Sequence, residues 1–144
     1  MSHVLEPALP DYLNEEILLH PENRKFPPFD LVRLLDTVFT PTQGCRVCIL
    51  IDFDEPAGLI KDYTFLNEAG FPVQKNAYKH FYEGLKNGAL DKLGMTGGEL
   101  FAYRCTHGSN LDLEDDVWDT AGNHLSLDKD IYPNYDIILC ISTF

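Results

Sequence analysis

Basic residues are scarce in this chain. Eleven Lys and Arg stand against 23 Asp and Glu, a formal net charge of -12. A nucleic-acid partner needs clustered Lys and Arg to neutralise phosphates, so this balance argues against that class of partner. The acidic surplus serves solubility. Long apolar runs are missing too. None approaches the ~20 residues of a membrane span, and the opening residues lack the basic start and apolar core of a secretory leader. The expectation is a cytoplasmic protein with no membrane partner. Internal repeats and low-complexity tracts are absent. So are three catalytic fingerprints. No G-x-G-x-x-G follows the first strand-like run. Met95-Thr96-Gly97-Gly98 precedes a strand instead of opening a helix, and no Lys-Ser/Thr follows it. Ser109 lacks the strained G-x-S-x-G turn of a hydrolase.

What is present suffices for one domain. At 144 residues, with 44% apolar and 24% charged residues, the chain can bury an ordinary core. Residues 1–28 carry Pro7, Pro10, Pro21, Pro27 and Pro28 and read as an arm, with a short helix over Asp11–Leu19. Residues 29–144 read as the folded domain. Asp30 can cap a helix whose stripe is Leu31, Leu34, Leu35, Val38 and Phe39. Thr40-Pro41-Thr42-Gln43-Gly44 breaks it. Cys45–Phe53 is a core strand, followed by a helix over about Ala57–Ala69 that stops at Gly70. Phe71-Pro72 opens a second helix, with Val73, Ala77, Tyr78, Phe81 and Leu85 on one face. Glu99–Thr106 is the next strand, ending in the turn His107-Gly108-Ser109-Asn110. Val117–Leu127 reads as a hairpin around a glycine-containing turn. Asp136–Phe144 reads as a fully buried parallel strand. The fold class is α/β: a Rossmann-like layered domain with a mainly parallel sheet and a small β-hairpin excursion.

Four cysteines lie in strand-like runs: Cys45, Cys48, Cys105 and Cys140. Cys45-Arg46-Val47-Cys48 matches C-x-x-C, but three steps along a strand place the two thiols on opposite faces. A zinc knuckle or a redox pair needs a turn or a helix start instead. The cysteines are therefore read as small, reduced core residues. Cys105 and His107 form a lone C-x-H, which is read as packing plus turn chemistry.

Polar residues gather at strand ends: Asp52 and Asp54, then His107 and Ser109, then Ser142 and Thr143. If the strands are parallel neighbours, these groups share one edge, where ligands bind in open α/β sheets. His107, Ser109, Ser142 and Thr143 are the binding-edge candidates. Asp52-Phe53-Asp54 after Ile49-Leu50-Ile51 places two carboxylates on one side of an extended segment. They could hold a hard cation or divide into nucleophile and acid/base. This resembles the first motif of the haloacid dehalogenase-like phosphatases, and Ile141-Ser142 resembles their second. The resemblance implies a phosphotransferase with Asp52 as nucleophile and Asp54 as acid/base. Glu55 and Pro56 depart from the residues usual after that motif. The family's Lys and later acidic motif would fall beyond Phe144.

At whole-chain scale, a helix, Pro41-Thr42-Gln43-Gly44 and an apolar strand are similar to the opening of the leucyl aminopeptidase (aminopeptidase T) family. Tyr135–Thr143 is similar to a later strand of its N-terminal domain. This resemblance covers Phe29–Phe144 in outline. It implies the leading domain of a metal-dependent exopeptidase, truncated at its C-terminal end and inactive alone. The parent protein would use a divalent metal whose ligands lie outside this chain, and the partner would be the missing C-terminal domain or a homo-oligomer. A small-molecule-binding or interaction module without catalysis is the alternative from a different class.

Overall fold

The computed structural model describes residues 28–108 and 113–143. The expected helix over Asp11–Leu19, nearly all of the expected arm, and Ser109 lie outside them. Leu31–Phe144 forms one compact unit.

The first helix, α1 (Leu31–Phe39), lies where its spacing predicts. Its stripe is only half used. Leu31 and Leu35 are buried, whereas Leu34, Val38 and Phe39 are exposed. These two residues, one turn apart, face the rest of the unit. Leu31 comes so close to Gly84 that a Cβ there would sit 2.7 Å from its Cδ2, so glycine sets how near α1 can lie.

Strand β1 (Arg46–Phe53) is buried at every position after Arg46. The helix expected over Ala57–Ala69 is broken. α2 (Pro56–Ile60) ends after five residues, and the tighter turns of Lys61–Asn67 follow. Asp62 and Tyr63 both take left-handed backbone angles between them. This kink lets the Asp62 N–H reach the Thr120 carbonyl at 2.8 Å. A second helical run spans 72–93. It opens with Pro72 in the first turn of α3 (Pro72–Asn76), passes through wider turns at Ala77–Tyr82 and Leu85–Ala89, and ends as α4 (Leu90–Leu93). Gly88 and Gly94 punctuate it with positive φ.

Strand β2 (Thr96–Arg104) begins earlier than Glu99 and takes in Gly97 and Gly98. Gly97 has φ +88° and would place a Cβ 2.6 Å from the Val47 carbonyl oxygen, at the register shift between Val47 and Cys48. Only glycine fits this irregularity. β3 (Asp116–Asp119) and β4 (His124–Ser126) form the expected hairpin. The sequence places the end of the hairpin at Leu127, but helical turns at Leu127–Ile131 and Tyr132–Asn134 begin there and lead to β5 (Ile137–Ile141).

The five strands make one mixed α/β sheet in the order β4-β3-β2-β1-β5. β2, β1 and β5 run parallel, and β3 and β4 are antiparallel additions on the β2 side. From β1 the chain crosses to one side to make β2 and later returns to the other side to make β5. β5 is parallel as expected but not fully buried. Among the described residues it is an edge strand, and only Ile137 of its five residues is buried.

Alternate residues of the strands build two cores. Val47, Ile49, Ile51 and Phe53 of β1, with Leu100 and Ala102, pack under the helices around Leu35, Ile60, Phe65 and Leu85. Cys48 and Leu50, with Phe101 and Tyr103, pack against Val117, Leu127 and Ile131. Each fully buried Leu, Ile or Phe contributes roughly 1.5–3 kcal/mol. Cys45 and Cys48 fall in different cores, on opposite faces as the strand geometry requires. All four thiols are free. Cys140 is exposed and Cys105 half-buried, so these two are not core residues: one sits on the edge strand and the other just beyond a strand end. Among the described residues, no helix is long and apolar enough to cross a membrane.

Candidate functional site

Register dictates what meets at the carboxyl edge of the parallel strands. Phe53 pairs with Arg104 and Ile51 with Ile141. The next residues out are therefore Asp54 and Cys105, and on β5 Ser142 and Thr143. Asp52, His107 and Ser142 all belong to this edge. A pocket of about 340 Å³ opens here, lined by Asp52, Phe53, Asp54, Phe71, Pro72, Val73, Gln74, Cys105, His107 and Thr143.

Asp52 is its buried anchor, 2% exposed. Its Oδ1 accepts from the Thr143 main-chain N–H, the Thr143 hydroxyl and Gln74 Nε2, each at 3.0 Å. Gln74 Nε2 also donates to the Asp52 carbonyl at 2.6 Å and to Thr143 Oγ1 at 3.0 Å. One carboxylate thus ties β1, β5 and α3 together, and the low dielectric around it strengthens each bond. The Cys105 thiol lies in the same pocket. Burial pushes this thiol up from its ordinary pKa, the His107 main-chain N–H pulls it down, and Asp52 and Asp54 push it up again.

Asp54 and His107 form the outer rim. His107 Nε2 lies 2.7 Å from Asp54 Oδ1, with both side chains well exposed. His107 takes φ 57°, an uncommon conformation for a non-glycine residue, and Gly108 follows with φ 157°. The potential ligand atoms of Asp54, Cys105 and His107 all lie within 4.8 Å of one another. Apolar walls complete the pocket. Phe71, itself at φ 57°, stands edge-on to Phe53 with ring centroids 5.3 Å apart.

The structure therefore brings together Asp52, Asp54, His107 and Thr143 of the residues singled out in the sequence. Ser142 reaches the same edge, but its side chain hydrogen-bonds to Tyr103, whose hydroxyl also accepts from Cys140 Sγ at 3.4 Å. Gln74 and Phe71 carried no signal that sequence reasoning used. Gln74 lies three residues before buried Ala77 and so faces inward, where a polar residue needs a polar partner.

A second pocket of about 310 Å³ is lined by Tyr82, Lys86, Glu99, Leu100, Phe101, Asp119, Thr120 and Ala121. Its polar groups are already engaged. The Tyr82 hydroxyl meets that of Tyr63 at 2.7 Å, Glu99 accepts from Arg46 and Tyr135, and Asp119 accepts from the main chain of Ala121 and Asn123. The carboxyl-edge pocket is the better site by its position, at the ends of the parallel strands, and by its apolar walls of Phe53, Phe71, Pro72 and Val73. No protein-family model, curated protein or solved structure matches this chain.

Proposed function

We propose that this chain is a Rossmann-like ligand-binding domain of an aminopeptidase-like, metal-dependent hydrolase. Its ligand is a small molecule with an apolar body and an amine head. The carrying observation is the carboxyl-edge pocket: about 340 Å³, apolar-walled by Phe53, Phe71, Pro72 and Val73, with a carboxylate-bearing rim. This volume is that of a small-ligand site. Its position, between strands reached by crossing to opposite sides of β1, is where open α/β sheets bind ligands. An apolar aminoacyl group fits both walls and rim. The phosphotransferase reading is less well served, because its nucleophile, Asp52, already accepts three hydrogen bonds on Oδ1.

Calorimetry with leucinamide, with and without Zn²⁺, tests the reading on the whole chain. Saturable binding is expected, weaker for N-acetylleucinamide and lost when Val73→Trp fills the pocket. Absence of binding in both conditions, or binding untouched by Val73→Trp, overturns it.

A further inference from the structure

We infer that the rim of this crevice is a transition-metal site of the zinc class, in which Asp54, Cys105 and His107 supply one oxygen, one sulfur and one nitrogen ligand. The inference rests on reading this crevice as the functional site, and adds the ion that works there.

The sheet itself sets the ligand positions. Phe53 pairs with Arg104, and the Cys105 N–H donates to the Phe53 carbonyl at 2.9 Å. Asp54 and Cys105 therefore leave adjacent strands side by side, and His107 follows two residues later. Their ligand atoms fall within 4.8 Å of one another. A tetrahedral site with bonds of ~2.0–2.3 Å holds its ligand atoms about 3.5 Å apart. The exposed Asp54 and His107 side chains can make that adjustment by exchanging their 2.7 Å hydrogen bond for bonds to the ion.

The donor set selects the ion. Sulfur and imidazole disfavour Mg²⁺ and Ca²⁺, which take oxygen ligands. A carboxylate and a thiolate together balance a dication, and the Cys105 thiol proton passes to solvent on binding. Asp52, fixed by Gln74 and Thr143, lies beside these residues in the same pocket. Three protein ligands leave a fourth position open, the arrangement of zinc sites that act on substrates. The same three residues line the pocket.

Titration of the whole chain with Co²⁺ reads the site without any small ligand. One equivalent should bind and give visible ligand-field bands together with a near-ultraviolet thiolate-to-cobalt band. Zn²⁺ should displace it, and a large excess of Mg²⁺ should not. Cys105→Ser should abolish the thiolate band, Cys140→Ser should keep it, and His107→Asn should weaken binding more than about tenfold. Far-ultraviolet circular dichroism establishes that each variant is folded. A thiolate band that survives in Cys105→Ser, displacement by Mg²⁺, or binding unchanged in His107→Asn overturns the site. None of these results depends on whether leucinamide binds, so the two failures are distinguishable.

Discussion

β1 and β5 have nearly the same local text and different fates. Ile49-Leu50-Ile51 and Ile137-Ile138-Leu139 are both unbroken apolar runs, and both strands lie in the parallel part of the sheet. β1 has a strand on either side and buries every residue from Val47 to Phe53. Among the described residues β5 pairs only with β1, and it leaves Cys140 exposed and Ile138, Leu139 and Ile141 half-buried. Composition reports that a strand is apolar; neighbours decide how much of it is covered. The site sits at the carboxyl ends of these two strands and of β2.

The largest effect should come from truncating the central strand. Leu50→Ala removes a side chain that is 1% exposed and should cost roughly 2–5 kcal/mol in denaturant unfolding. Leu139→Ala on β5 should cost about 1 kcal/mol, because its burial is partial. Equal costs would mean that β5 is covered in solution as β1 is, and the contrast would be lost.

The junction between the two strands comes next. Asp52→Ala and Thr143→Val should be non-additive in a double-mutant cycle, with a coupling of about 1–3 kcal/mol, since either change removes the hydrogen bond from the Thr143 hydroxyl to Asp52 Oδ1. Ser142→Ala should combine with Asp52→Ala to within roughly 0.5 kcal/mol, because its hydroxyl turns to Tyr103. Additivity in the Asp52–Thr143 pair would remove the anchor.

Thiol chemistry shows the same contrast with the smallest energetic effect. Burial pushes Cys48 on β1 up to about 12, the charge of Glu99 adds to this, and Arg46 opposes it. At pH 8 nearly all of Cys48 therefore stays as the unreactive thiol. Burial and the charge of Asp52 also push Cys140 up, against the hydrogen bond to Tyr103, but this thiol lies on the exposed edge strand. Iodoacetamide should therefore label Cys140 in the folded chain and Cys48 only on unfolding, as peptide mass mapping would read. Equal rates would contradict the burial of β1.

The sequence was legible where periodicity and turn residues act locally. Leu31–Phe39, the helix opening at Pro72 and the hairpin at Gly122 all follow from spacing and breakers. Less visible was whatever depends on distant partners. The kink at Asp62 and Tyr63 accompanies a hydrogen bond to Thr120, which lies far along the chain. The edge position of β5 depends on strand order, which no local pattern carries. The candidate site divides in the same way. Asp52, Asp54, His107 and Thr143 announced themselves as polar residues at strand ends. Cys105 was visible only as half of a C-x-H, and its neighbour Asp54 comes from another strand. Gln74 was hidden because its partner, Asp52, is brought to it by the fold.

The central claim is that small ligands enter at the carboxyl edge of β1, β2 and β5. Amide chemical-shift mapping during a leucinamide titration with Zn²⁺ present tests it most directly. Saturable shifts concentrated at Phe71, Val73, Gln74, Cys105, His107 and Thr143 are the expected result. Shifts concentrated at Tyr82, Lys86, Leu100 and Ala121 would place the ligand in the other pocket and contradict the claim.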